Sequence, residues 1–121
     1  MKANEIQIGD WVYSTFSKLP CKVMYLKLHE SGYASVETTN VVGVKDIASL
    51  SPIPLTTEIL EKNGFVVESR YCHGEPLQYC VLVDGLWIDI SGENYFEGKL
   101  EYVHQLQHAL RLCEIDKNIE L

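Results

Sequence analysis

The sequence predicts an α+β fold: a small β-rich lobe, then a helix, an antiparallel sheet with a β-hairpin, and a C-terminal helix. Three observations predict it. The first fifty or so residues form short runs of β-branched and aromatic residues separated by turn signals, with no helical periodicity. Residues 54–65 carry both start and stop signals of a short helix. Near the C-terminus, apolar residues recur at steps of three and four. With 121 residues and 46% apolar content, the chain is large enough to bury a core.

The N-terminal lobe is expected to contain four or five short strands. They are predicted at residues 11–13, 22–28 and 33–39, with a fourth beginning at 41–44 and a fifth within 47–53. Glu30-Ser31-Gly32 is a turn signal between the second and third strands. Strands this short and closely connected predict a small barrel or twisted sheet. The opening Gly9-Asp10-Trp11-Val12 is typical of Src-homology-3-like barrels, which is the preferred architecture.

The segment from Leu55 to Phe65 predicts a two-turn helix whose ends are both specified. The Thr56 hydroxyl can accept a hydrogen bond from a first-turn amide, and Glu58 suits the positive end of the helix dipole. Gly64 fits the left-handed position after the helix, followed by the apolar Phe65 expected of a Schellman ending.

A strand at 65–71, a turn at 72–76 and a hairpin at 77–90 are expected next. Asp84-Gly85 is favoured in a two-residue type I′ turn. That turn would pair Val81 with Ile88 on a wholly apolar face, and Leu82 with Trp87 on the other. Residues 91–98 are predicted to be a loop.

The last predicted element is a helix from about residue 99 to 113. Its apolar stripe consists of Val103, Leu106, Leu110 and Cys113, widened by Tyr102 and Ala109, and is expected to cover the apolar hairpin face. Residues after Glu114 are expected to form a frayed tail. Pro52-Ile53-Pro54 suggests a rigid joint, which divides the chain into a β-barrel-like lobe at 1–53 and an α+β lobe at 54–121, together forming one compact unit.

Charge is distributed unevenly along the chain. Its net charge is −7, yet residues 1–55 are neutral, so the excess acid lies in the C-terminal half. Phosphate backbones repel an acidic surface, which disfavours nucleic-acid binding by that half. No apolar stretch is long enough to span a bilayer, and the N-terminus has no secretory pattern, so we expect a cytoplasmic protein with reduced cysteines.

Three pieces of the sequence are similar to known proteins: the opening MKANEIQIGDWV, the segment PIPLTTEILEKNGF, and YVHQLQHAL. They resemble a group of small uncharacterised proteins of gut-bacterial genomes, phages and mobile elements. The resemblance implies a bacterial, cytoplasmic and phage-related protein. That group has no assigned activity, so no catalytic residue can be transferred.

Candidate chemical sites are few. His104 and His108 have the i,i+4 spacing that can chelate a divalent ion, but both are expected on the solvent face, opposite the apolar stripe. Cys72, His73 and Cys80 lack the paired spacing of a structural zinc site. No glycine-rich phosphate loop or activated nucleophile is evident. We therefore expect neither an enzyme nor a bound cofactor.

The leading hypothesis is a non-enzymatic module that binds a protein partner or itself. The interface candidates are Trp87, Leu82, Trp11 and Tyr13, because aromatic side chains are enriched at the centres of protein interfaces. The alternative is a nucleic-acid-associated accessory protein that binds through the N-terminal lobe, with Lys18, Lys22 and Lys27 near its loops.

Overall fold

The computed structural model describes residues 1–72, 75–81, 87–89 and 100–121, and the side chains of residues 1–65 and 100–121. The chain divides into two compact units, Met1–Ile53 and Pro54–Leu121. It combines antiparallel sheets with two α-helices, which confirms the predicted α+β class. Neither described helix has the length and apolar character needed to cross a membrane.

The first unit is a five-stranded antiparallel sheet. Its strands are β1 (Trp11–Ser14), β2 (Pro20–Leu28), β3 (Ala34–Thr38), β4 (Lys45–Asp46) and β5 (Leu50–Ser51). They are ordered β4-β3-β2-β1-β5, and 3-10 turns occur at Ala3–Glu5 and Ile47–Ser49. Within residues 1–53, all of which are described, the two edge strands β4 and β5 do not pair. The sheet therefore remains open, so of the two predicted alternatives, a small barrel or a sheet, the closed barrel is wrong.

The core of the first unit lies on one face of this sheet. Val12, Cys21, Val23 and Val36 are each at most 1% exposed, and Leu50 and Ile47 complete the cluster with Ile6 and Ala34. In β1 the side chains alternate between half-buried and buried, as expected for a strand with one face in a core. Burial raises the pKa of the Cys21 thiol above its ordinary value of 9.0, although a hydrogen bond with Thr38 opposes the shift.

The Gly-Asp pair before β1 builds a turn. Gly9 has φ +92°, a left-handed conformation that glycine adopts without steric cost. The Asp10 carboxylate is fully buried and accepts a hydrogen bond from the Gln7 amide at 2.7 Å. Backbone bonds then link Gly9 and Asp10 to Val23 on β2. The motif that suggested a barrel therefore fixes the entry into β1.

The end of the first unit differs from the prediction. Residues 41–44 are not a strand: Val42 is 95% exposed, and pairing begins only at Lys45. Within the predicted fifth strand, Ile47–Ser49 forms a 3-10 turn, because the Asp46 carboxylate accepts from the Ala48 amide at 2.8 Å. Strand pairing resumes only at Leu50–Ser51.

The second unit begins with α1 (Thr57–Lys62), whose predicted caps are confirmed. The Thr56 hydroxyl accepts a hydrogen bond from the Ile59 amide at 3.2 Å. At the other end, the Phe65 amide bonds to the Leu60 carbonyl and the Gly64 amide to the Glu61 carbonyl, each at 3.0 Å. With φ +82° at Gly64, these two bonds form the predicted Schellman ending.

An antiparallel three-stranded sheet follows, in the order β6 (Val66–Cys72), β7 (Glu75–Val81) and β8 (Trp87–Asp89). The β7–β8 register is shifted by one residue from the prediction. Val81 lies opposite Trp87, and Cys80 lies opposite Ile88. The predicted pairing of Val81 with Ile88 is therefore wrong. The residues Asp84-Gly85, whose turn signal led to that register, lie outside the described residues. Leu82, the predicted partner of Trp87, and the predicted loop at 91–98 lie outside the described residues.

The C-terminal helix α2 (Val103–Leu112) begins later than predicted. Tyr102 is extended and bridges to Pro54, and the Gln105 carboxamide oxygen accepts from the Tyr102 and Glu101 amides at 3.1 and 2.7 Å. These bonds satisfy amides ahead of the first helical turn. The predicted core residues Val103, Leu106 and Leu110 are buried, whereas Cys113 is exposed.

The chain after α2 is ordered against α1, so the expected frayed tail is wrong. Ile119 is only 2% exposed. The Asn63 carboxamide bonds to both backbone groups of Glu120, accepting from its amide and donating to its carbonyl, each at 2.7 Å. Nearby, the Lys62 ammonium donates to the Leu121 carbonyl, and the Lys117 ammonium lies over the Phe65 ring, 5.1 Å from its centre. The tail is thus part of the second unit.

Candidate functional site

The predicted histidine pair occupies a less exposed position than expected. His104 is 5% exposed and stacks on Tyr102, with ring centroids 5.8 Å apart, while His108 is half-buried and meets His104 edge-on at 5.6 Å. The solvent-face assignment of His104 is wrong, because the buried arc of α2 also includes Gln107 and so extends toward the histidines. Among the described residues, no group of three or more His, Cys, Asp or Glu side chains is placed to hold a metal ion.

The interface candidates fall in different units. Trp11 and Tyr13 lie on the half-buried face of β1, opposite Lys22 and Pro20 of β2. The Lys22 ammonium lies 5.0 Å from the centre of the Trp11 indole, a cation–π distance. Trp87 lies in β8 of the second unit. Of the cysteine–histidine candidates, Cys72 and Cys80 lie in β6 and β7, and His73 falls outside the described residues.

Exposed apolar side chains are a feature of the first unit that the sequence analysis did not single out. The large apolar residues that are at least 45% exposed there are Ile8, Phe16, Leu19, Met24, Tyr25, Leu28, Tyr33, Val42 and Val44. Among the described residues of the second unit, only Leu112 belongs to this class. Single exposed apolar residues are ordinary, so a site requires that several lie together.

Four of them belong to the hairpin of β2 and β3. Met24, Tyr25, Leu28 and Tyr33 are 58%, 47%, 67% and 45% exposed. We call these four residues the hairpin surface. Three come from the second half of β2, and Tyr33 directly precedes β3.

A β-bulge explains why two successive residues of β2 are exposed. Val23 pairs with Thr38 and Tyr25 pairs with Glu37, so Met24 is an extra residue in the ladder. A bulge inserts one residue on one strand and interrupts the strict alternation of faces. Burial in β2 accordingly alternates as far as Val23, and then Met24 and Tyr25 are both exposed. In the sequence, the apolar residues between positions 22 and 28 accordingly do not alternate strictly with polar ones.

Hydrogen bonds and a ring contact fix the conformation of the hairpin tip. The His29 amide donates to the Tyr33 carbonyl at 2.7 Å, and the Gly32 amide donates to the His29 carbonyl at 3.0 Å. Gly32 has φ +83°, as expected for a three-residue hairpin loop with glycine in the left-handed position. The His29 ring lies within 2.9 Å of the buried Ser35 hydroxyl and 5.1 Å from the centre of the Tyr33 ring. The apolar side chains are therefore presented by an ordered scaffold.

Charged side chains border the hairpin surface. Lys27 is exposed between Leu26 and Leu28, and the exposed Glu37 lies directly opposite Tyr25. Elsewhere on the unit, the Lys45 ammonium lies 4.8 Å from the centre of the exposed Phe16 ring. Apolar residues with a charged border are the usual composition of a protein-binding surface. Sequence periodicity could not find this surface, because the bulge removes the alternation that marks an exposed strand face.

Comparison with known proteins gives no relative from which a function could be transferred. No family model matches the chain, and no match was found among the curated proteins or the solved structures.

Proposed function

We propose that the protein is a non-enzymatic interaction module that binds a partner chain, either another protein or a second copy, through the hairpin surface. The observation that carries this proposal is that Met24, Tyr25, Leu28 and Tyr33, each 45–67% exposed, all belong to one ordered hairpin. Leaving these side chains in water forgoes about 25 cal/mol for every Å² of apolar surface that could be buried. A partner that covers them recovers this free energy.

The proposal moves the interface from Trp87 and Leu82 to the β2–β3 hairpin. Trp11 and Tyr13 remain candidates for its periphery because β1 is the neighbour of β2 in the sheet. The strand order, together with a 3-10 turn immediately before the last strand, supports a Src-homology-3-like architecture for residues 1–53 as part of this proposal.

The test is affinity capture from a lysate of the encoding organism. The cells also express an untagged copy of the chain, so that capture of a second copy can be detected. Three tagged proteins are compared: the native chain, Leu28→Lys and Val42→Lys. Both substitutions place the same charge at an exposed apolar position of the first unit, but only Leu28 belongs to the hairpin surface. We expect the native chain and Val42→Lys to retain a protein that Leu28→Lys loses by at least tenfold. Equal retention by both variants, or no retained protein, contradicts the proposal.

Nucleic-acid binding by the first unit is the second candidate function. Two lysine–aromatic pairs favour it, Lys22 with Trp11 and Lys45 with Phe16, because single strands are bound by base stacking on aromatic rings and by neutralisation of phosphates. The capture is therefore repeated with nuclease. Loss of all captured material after nuclease treatment would favour this candidate over the protein-binding one. Binding of a fluorescent single-stranded oligonucleotide should then weaken steeply with salt.

A further inference from the structure

The second half of β2 has an open edge. β1 pairs with β2 only at Pro20, Cys21 and Lys22, and the preceding turn reaches Val23 through the Gly9 amide and the Asp10 carbonyl. From Met24 to Leu28, β2 pairs with β3 on one side only. No backbone bond from the described part of the chain reaches the other side of this stretch. It is therefore a sheet edge within the first unit, and it adjoins the hairpin surface.

The hydrogen-bond pattern of the hairpin identifies the backbone groups that face this edge. The His29–Tyr33 pair is directly bonded, and in an antiparallel ladder such pairs alternate with pairs that exchange no bonds. Lys27 and Tyr25 are thus bonded to their partners on β3, Ser35 and Glu37. The amide and carbonyl groups of Leu26 and Leu28 point the other way. An open edge with alternating donors and acceptors is a template for an added strand.

We propose that the added strand is β2 of a second copy, paired antiparallel across Leu26; this inference rests on the proposed function and names the partner. The amide and carbonyl groups of Leu26 in the two copies bond to each other. On the same register, Lys27 of each copy lies opposite Tyr25 of the other, and Leu28 lies opposite Met24. Apolar residues thus meet apolar residues, and each ammonium meets an aromatic ring.

Charge selects this register over its neighbour. Shifting the pairing by one residue in each copy, so that Leu26 lies opposite Leu28, also aligns the open backbone groups. That alternative places Lys27 directly opposite Lys27, and like charges directly opposite each other destabilise a strand pair. In the register centred on Leu26, Glu37 lies beside Tyr25 on β3, so each Lys27 approaches a carboxylate of the other copy. The surface is complementary to itself in only one of the two registers.

The proposed contact is short, so the affinity between the two copies should be low. A five-residue edge buries less than a stable dimer interface, which commonly buries about 1,600 Å² in total. We therefore expect a reversible dimer that forms between about 10 and 1,000 µM, corresponding to weak association. Two copies joined in this way would have a continuous β3-β2-β2-β3 sheet.

The first experiment is sedimentation velocity of the full chain over that concentration range. The native protein and Val42→Lys should form more dimer as the concentration rises, whereas Leu28→Lys should remain monomeric, with the dissociation constant of the dimer raised at least tenfold. Circular dichroism of all three proteins checks that each is folded. A native chain that remains monomeric throughout overturns the inference, as does a dimer that Leu28→Lys leaves intact.

The second experiment tests the register in a Cys113→Ser background, which removes an exposed thiol. Directly opposed residues in a pair that exchanges no bonds lie about 4.5 Å apart at Cα, within disulfide range, whereas diagonal residues are about 7–8 Å apart. Under mild oxidation, a mixture of Tyr25→Cys and Lys27→Cys proteins should cross-link at least fivefold faster than either variant alone. If the mixture cross-links no faster than either variant alone, the proposed register is wrong. The rate for the Cys113→Ser protein alone is measured as the blank and subtracted.

The two proposals fail separately. A native chain that is monomeric but still captures another protein in a Leu28-dependent manner refutes self-pairing and supports the hairpin surface as a binding site for that protein. A monomeric chain with no Leu28-dependent capture refutes both proposals. Both proposals are supported if the native chain forms a dimer that Leu28→Lys abolishes and the tagged chain captures only its untagged copy.

Discussion

Replacing Asn63 by alanine should destabilise the second unit, because this side chain joins α1 to the C-terminal tail. Its carboxamide makes three hydrogen bonds, to the Ile59 carbonyl at 2.8 Å and to the amide and carbonyl of Glu120 at 2.7 Å each. A hydrogen bond contributes about 1 kcal/mol net. Because Glu120 is exposed, its backbone groups bond to water when the tail is released, which offsets part of the contribution of the three bonds. We therefore expect Asn63→Ala to lower the free energy of unfolding by about 2 kcal/mol. That loss is a roughly 30-fold change in the unfolding equilibrium constant.

Urea unfolding followed by circular dichroism measures this loss, and Lys62→Ala is the matched control. Lys62 is the preceding residue and also contacts the tail, through the Leu121 carbonyl, but its side chain is exposed. Exposed substitutions of this kind change the free energy of unfolding by less than about 0.5 kcal/mol. If Asn63→Ala unfolds at the same urea concentration as Lys62→Ala, the tail does not contribute to the stability of the unit and the reasoning is wrong.

Four further predictions concern helix ends and thiols. Gly64→Ala should lower the free energy of unfolding by about 1 kcal/mol, because φ is +82° at this position; the added Cβ itself would meet only the Lys117 ammonium, at 3.7 Å. Glu114 has φ +58°, so Glu114→Gly should raise the free energy of unfolding by a similar amount. Thermal melts of the two variants should therefore shift in opposite directions. Thr56→Ala should cost about 1 kcal/mol through loss of the cap, whereas Thr57→Ala should cost less, as compared by urea unfolding. Iodoacetamide at pH 8 should modify the exposed Cys113 and leave the buried Cys21 unmodified, as read by peptide mass spectrometry, and equal modification would contradict the burial of Cys21. Because burial raises the pKa of Cys21, its contribution to stability is complete below the ordinary thiol value of 9.0 and is lost as the pH rises through the higher folded-state value.

Elements specified by local chemistry were predictable from the sequence. The two ends of α1 depend on Thr56, Gly64 and Phe65, all within ten residues, and the sequence predicts both the cap and the Schellman ending. The turn at Glu30-Ser31-Gly32 follows in the same way from the left-handed conformation of its glycine.

Elements decided by distant partners were not predictable. His104 and Gln107 are polar residues that the fold buries, so hydropathy alone assigns them to the surface. The tail lacks periodicity, and its position depends on Asn63, more than fifty residues earlier in the chain. The hairpin surface depends on a bulge at Met24, whose location is fixed by pairing with β3 and not by the residues of β2 alone.

The most direct test of the hairpin surface as the interaction site is an amide NMR spectrum of the native chain. Spectra are recorded over the concentration range at which dimers are expected, and again with any protein that the capture identifies. The account predicts that the amide signals of Met24, Tyr25, Leu26, Lys27 and Leu28 shift progressively, with slower hydrogen exchange at Leu26 and Leu28, while Val42 and Val44 remain unchanged. Shifts confined to residues outside β2 and β3, or no shifts under either condition, would contradict it.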